Sequence, residues 1–210
     1  MTSIGSASST DLSKAALVIG GASCVWDDVL AVEKLIGERW PGIVVAVNDV
    51  LVHWPRHLDH ACSLHPDKLM RCDPSHPARW SWVEQRRRNG FSMDFTTWGQ
   101  KANTTQRRIY PWVGGSSGLL GVTVAVEICA PKIILCGIPM TQTPHFQESG
   151  CHDEYAKWEA ADSHWKNWML PSVLERMGGR VRSMSGRTKG LLGAPTAKWL
   201  ACPAKGSRLS

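Results

Sequence analysis

The run Ala16-Leu17-Val18-Ile19 is apolar at every position and is followed at once by Gly20-Gly21. Four consecutive apolar residues leave no side for water. As a strand they must be covered on both faces, which is the situation of a parallel sheet flanked by helices. Beyond the glycines, Val25, Val29, Val32 and Ile36 recur at helical spacing, and Asp27 and Asp28 suit the positive end of the helix dipole. Pro41-Gly42 breaks the chain, and Ile43–Val47 reads as a second strand ending in Asn48-Asp49.

Residues 58–64 read as a third, edge-like strand stopped by His65-Pro66, and Lys132-Ile133-Ile134-Leu135-Cys136-Gly137 as a further buried strand. Val181-Arg182-Ser183-Met184 reads as the last. Between strands, residues 119–130 are apolar on every side and predict a buried helix. Residues 139–151 read as a loop, and Tyr155, Trp158, Ala161, Trp165 and Trp168 mark one face of an amphipathic helix. This order predicts an α/β fold, a Rossmann-like three-layer sandwich with a mainly parallel sheet and right-handed crossovers.

The chain of 210 residues suits one domain, large enough to bury roughly 70% of its unfolded surface. We expect that domain over 15–200, with small polar tails at 1–14 and 201–210. Residues 71–113 are less regular, with Trp80, Trp82, Arg86-Arg87-Arg88 and Trp98 among polar residues. The part from 71 to 108 suits a lid or insertion, and 109–112 a short strand. No apolar run approaches the roughly 18 residues of a membrane span, and residues 1–13 lack the apolar core of a signal peptide. Cys129 and Cys136 lie within apolar runs, and the seven cysteines include no CxxC pair. Reduced core thiols in a cytoplasmic protein are expected, with no structural zinc site.

Two turns invite an anion. Gly114-Gly115-Ser116-Ser117-Gly118 precedes the buried helix, and Gly20-Gly21-Ala22-Ser23 follows the first strand. Small residues at a helix entrance leave first-turn N–H groups bare, and with the helix dipole they form a site for a phosphate or carboxylate. Asn48, at the end of the second strand, stands where open parallel sheets place their ligands, and an Asn can serve a base or a ribose edge. The alternative for Asn48 is an Asx-turn cap. His65 faces the same end.

His53, His57 and His60 have helical spacing, but Pro55 and the strand-like stretch after it argue against a metal helix. The Trp80-Ser81-Trp82 and triple-arginine stretch resembles a single-strand nucleic-acid surface, against the plainer reading of a basic helix face with Trp packed beneath. The net charge of +6 allows a polyanionic or phosphate-bearing partner. No P-loop, GxSxG or HExxH pattern is present, nor an Asp-x-Asp metal clamp.

A glycine turn after strand one, an Asn after strand two, Ser-Ser-Gly before a buried helix and then Lys-Ile-Ile-Leu-Cys-Gly-Ile follow one another in this chain. That order resembles the Rossmann-like family uniting bacterial sialyltransferases with the pterin diphosphokinase (MptE-like) proteins. It is also similar to short phage proteins with Asn-Asp, His-Pro and Gly-Ser-Ser-Gly elements. The resemblance spans roughly 16–69 and 109–192. It implies that Gly20, Gly21, Ser23, Asn48, Asp49, Ser116, Ser117 and Gly118 hold a nucleotide's phosphate and ribose, with Ser185 and Thr188 closing the pocket from the last strand. The family's first turn commonly carries a proline that Gly20-Gly21-Ala22-Ser23 lacks. Its catalytic His follows the Gly-Ile strand; here His145, His152 and His164 all lie in that region, with His145 nearest the strand end. No cofactor is implied.

Three functions remain open. One is a transferase using a nucleotide-activated donor such as a nucleotide-sugar, which would be a metal-independent glycosyl- or phospho-group transferase. The second is a non-catalytic, phage-type protein that sequesters a nucleotide, closed by a lid or by a second copy in a homo-oligomer. The third is a nucleic-acid-binding or virion-associated protein. No membrane partner is expected.

Overall fold

The computed structural model describes residues 11–70, 80–99, 106–108, 116–146 and 159–202. Seven strands form one sheet in the order β5-β4-β3-β2-β1-β6-β7. They are β1 (Ala16–Ile19), β2 (Ile43–Val47), β3 (His60–Ser63), β4 (Thr96–Gly99), β5 (Gln106–Arg108), β6 (Ile133–Cys136) and β7 (Val181–Ser183). Every neighbouring pair is parallel. The α/β sandwich expected from the apolar runs is therefore present, and its sheet is parallel throughout these strands.

Alternation along the strands divides the core in two. Ala16, Val18, Val45, Val47, Ile133 and Leu135 face one layer, made by α5 (Ser117–Glu127), α6 (Glu159–Trp168) and α7 (Pro171–Met177). Leu17, Ile19, Val44, Ala46, Ile134 and Cys136 face the other, where α1 (Val25–Ile36) and α2 (Val50–His53) pack. α3 (Pro66–Met70) and α4 (Trp82–Arg88) extend this second layer through Leu69, Trp82 and Val83, and α9 (Ala197–Ala201) adds Leu200. α8 (Gly186–Leu192) follows β7. Burying both strand faces is what makes runs such as Ala16–Ile19 continuously apolar.

Several expectations need correction. The third strand begins at His60 and lies between β2 and β4, so it is interior. The apolar pattern of residues 58–64 gave no sign of the strands added beyond it, because β4 carries Thr96, Thr97 and Gly99 in place of an aliphatic run. The irregular stretch after residue 80 supplies α4, β4 and β5 and so carries the sheet outward. The strand expected over 109–112 lies outside the described residues.

The triple arginine splits by role. Arg87 and Arg88 pair with Glu84 on their own helix, each at 2.7 Å, and the Arg88 guanidinium lies 3.4 Å above the Trp80 ring. Arg86 turns inward and is fully buried. His53, His57 and His60 fall on α2, a loop and β3; among the described residues no group of three or more His, Cys, Asp or Glu side chains could hold a metal ion. Nor is any described helix long and apolar enough to cross a membrane.

Candidate functional site

β1 lies between β2 and β6, and the chain winds outward to β5 before returning on β1's other side as β6. This reversal opens a crevice at the carboxyl ends of the strands, the usual ligand position in open parallel sheets. A cleft of about 440 Å³ occupies it. Of the residues singled out in the sequence, Gly20, Gly21, Asn48, Asp49, His65, Ser116, Ser117, Gly118, His145 and His164 all line this cleft. Ser23, Ser185 and Thr188 are not among its lining residues, and His152 lies outside the described residues.

The two glycine-rich turns behave differently. At the first, Gly20 N–H donates to Cys136 O at 2.8 Å, Ala22 N–H to Gly137 O at 3.2 Å and Ser23 N–H to Pro144 O at 2.8 Å. These three amides are spent on the neighbouring strand end and loop, which leaves the Gly21 N–H, in the cleft wall, without an acceptor among the described residues. At the second, Ser116 caps α5, its Oγ accepting from Leu119 N–H at 3.3 Å and from Trp168 Nε1–H at 3.1 Å. The N–H groups of Ser117 and Gly118, in the helix's first turn, have no acceptor among the described residues, and both residues line the cleft. α5 thus presents open donors and a positive dipole end to the cavity.

Gly118 is needed for a different reason than ligand approach. A Cβ there would come within 2.6 Å of Ile138 Cγ2, so the helix entrance packs directly on the residue after Gly137. A bulky Gly118 variant would therefore disturb the fold as well as the cleft.

The loop after β6 returns across the first turn. Phe146 N–H donates to Gly21 O at 2.9 Å, and Ala22 and His145 form an isolated antiparallel bridge. This brings His145 Nε2 to 3.2 Å from Asp49 Oδ1, with the imidazole tilted against the Phe146 ring. Gly21 makes room for the pair, since a Cβ on it would meet His145 Nε2 at 2.4 Å.

Asn48 and Asp49 follow β2. Asn48 adopts a left-handed backbone at φ 60°, which turns the chain sharply into α2. Its side chain makes no Asx-turn; Oδ1 accepts from Ser63 Oγ at 2.9 Å. His65 lies just past β3, and partial burial followed by the Lys68 ammonium pushes its imidazole below the ordinary histidine value. His164, on α6, reaches the same cavity from the far side.

Ser185 and Thr188 serve the wall behind the cleft. Thr188 Oγ1 donates to Ile138 O at 2.6 Å and lies 2.7 Å from Ser183 Oγ, and Arg187 N–H donates to Pro139 O at 2.8 Å. Ser185 Oγ donates to Asp28 Oδ2 at 2.8 Å, and the same carboxylate oxygen accepts from Gly137 N–H at 2.8 Å. The β7–α8 turn therefore fixes the 137–139 strand end and lends it shape.

Two residues of this machinery escaped the sequence reading. Asp28 suits the positive end of the helix dipole, yet its place among Val25, Val29 and Val32 on the buried face of α1 marks it as inward. Ser63 is wholly buried, and a serine at a strand end carries no pattern that would betray it. No family model matches the chain, and no curated protein or solved structure matches it.

Proposed function

We propose that the cleft binds a phosphate-bearing nucleotide and that the protein is a transferase using a nucleotide-activated donor, in the manner of a glycosyltransferase. The observation that carries this reading is the meeting, in one cleft of about 440 Å³, of the open α5 entrance with the Asp49–His145 pair. The Ser117 and Gly118 amides would receive the donor's phosphate. His145, oriented by Asp49, would take the proton from the acceptor as its oxygen attacks, a role suited to imidazole near neutral pH. Ser116 Oγ already accepts two bonds, so its own proton is left to give to a phosphate oxygen. The resemblance of its motif order to that of the sialyltransferase and MptE-like proteins supports the same reading.

The test has two stages. Calorimetry with nucleoside mono- and diphosphates should give saturable binding, and mass spectrometry should identify any nucleotide that co-purifies. The protein is then incubated with nucleotide-sugar donors and candidate acceptors. His145→Ala should lower turnover by roughly 100- to 10,000-fold while nucleotide affinity survives. Recovery of the donor chemically intact, with acceptors present, would replace the transferase by a nucleotide-sequestering protein. Absence of binding would end both.

A further inference from the structure

Ser63 ends β3 with no exposed surface, and its one hydroxyl serves two cleft residues. His65 N–H donates to Ser63 Oγ at 2.8 Å, and Ser63 Oγ donates in turn to Asn48 Oδ1 at 2.9 Å. The direction of the second bond follows from counting protons. A serine hydroxyl has one proton to give. Were the Asn48 amide turned over, its NH₂ would donate to Oγ, and the Ser63 proton would be shut inside the protein with no acceptor. Asn48 therefore turns its carbonyl to Ser63, which takes one of its two lone pairs.

What remains for the cleft is the NH₂ group. Asn48 lines the cavity, and Nδ2 has no partner among the described residues. The root of the side chain is fixed as well: Asn48 N–H donates to Cys62 O at 2.9 Å, and the left-handed backbone at φ 60° sets the direction in which Cβ leaves the chain.

We infer that Asn48 reads the nucleobase of the nucleotide proposed above and that Ser63, by holding its carbonyl toward β3, turns its NH₂ to the cleft, so that the cleft selects keto over amino bases. A ribose hydroxyl has a proton to give as well as lone pairs to offer. A base carbonyl only accepts, and is the group matched to the NH₂ that Asn48 turns to the cleft. An exocyclic amine in the same place would set donor against donor and leave both unpaired, the arrangement binding sites reject most strongly. Ser63 is a positioning residue in this scheme and touches no ligand atom.

This inference rests on the nucleotide reading, and the test separates the two. Calorimetry compares UMP with CMP and IMP with AMP; within each pair a keto oxygen replaces an amino group. The wild-type protein should prefer UMP and IMP by on the order of tenfold. Ser63→Ala frees the amide to turn over and should bring each pair to near-equal affinity, since its loss of the His65 contact weighs on both members alike. Asn48→Asp places an acceptor in the cleft and should reverse the preference, whatever the added charge does to affinity overall. Measurable binding with no keto preference, or a preference unchanged in a folded Ser63→Ala protein, would overturn the inference and leave nucleotide binding standing. Failure of all four nucleotides to bind would overturn the nucleotide reading and this inference with it.

Discussion

Asp49 Oδ1 and His145 Nε2 lie 3.2 Å apart although 96 residues separate them in the chain. Each is delivered by a distinct device. The left-handed turn at Asn48 carries Asp49 past the end of β2, and three backbone contacts hold the loop that bears His145 against the Gly20-Gly21-Ala22-Ser23 turn. A histidine held by a carboxylate is an arrangement able to activate a nucleophile.

If that pair performs the chemistry, the carboxylate matters apart from the imidazole. Asp49→Asn keeps the shape and removes the carboxylate beside the ring. Turnover on a nucleotide-activated donor should fall about tenfold or more. Nucleotide affinity, set at the α5 entrance, should hold. Steady-state kinetics beside calorimetry reads the two separately, and an unchanged turnover would leave the pair as a fastening between loop and sheet.

Gly21 offers an independent route to the same residue. Its backbone is not left-handed, so alanine is conformationally acceptable there. The added methyl would sit 2.4 Å from His145 Nε2, the movable end of a side chain. Gly21→Ala should displace the ring from Asp49, reproduce much of the His145→Ala loss of turnover, and lower the melting temperature little. A large fall in thermal stability would mean that the ring cannot yield.

Arg86 gives a prediction about stability alone. Its guanidinium is buried and donates to four backbone carbonyls: Ser92 O at 2.8 Å, Leu51 O and Trp54 O at 2.7 Å, and Arg56 O at 3.0 Å. Leu51 and Trp54 close the short helix α2, where a cation meets the negative end of the helix. Arg86→Met keeps the bulk but leaves these carbonyls without a donor, at a cost of about 3 kcal/mol or more. Thermal denaturation should register a drop of roughly 10 °C. A drop below about 2 °C would contradict this account of how α4 is fastened to the residues around α2.

The same contrast explains what the sequence disclosed. β1, β2 and β6 are apolar throughout because both sides of them are core, and they were legible for that reason. β4 and β5 were not, since Thr96, Thr97, Gln106 and the flanking arginines spell no apolar run and hold their places by pairing with β3 and with each other. In the cleft, Asn48 and the Ser-Ser-Gly helix entrance could be found from their position after a strand and before a helix. The use of the first turn's amides by Gly137 and Pro144 could not, because it depends on where a loop more than a hundred residues later returns. His145 stands out in the sequence by its nearness to the β6 end; its pairing with Asp49 is a tertiary fact.

The ion pair between Glu33 and Arg56 ties α1 to the loop after α2 and makes stability depend on pH. Arg56 Nη2 donates to Glu33 Oε2 at 3.2 Å, Nη1 donates to Oε1, and Trp40 N–H donates to Oε1 at 3.0 Å. The Arg56 hydrogen bonds above all, and then the Trp40 amide, hold the Glu33 carboxyl below the usual glutamate value, while partial burial works against them. Because the folded value is lower, between the two values the unfolded chain binds more protons, and stability there rises with pH. The contribution is complete above the unfolded value near 4.3 and is lost as pH falls through the folded one. Glu33→Gln removes this dependence. Near neutral pH the variant should be less stable by about 1 kcal/mol, or roughly 2–4 °C in melting temperature. That gap should narrow steadily below about pH 4.5 as the wild-type carboxyl takes up its proton. Glu84, held down to about 2 by Arg87 first and then Arg88, titrates in both proteins and cancels from the difference. A gap that stays constant from pH 7 to pH 3 would show that Glu33 contributes through shape and not through charge.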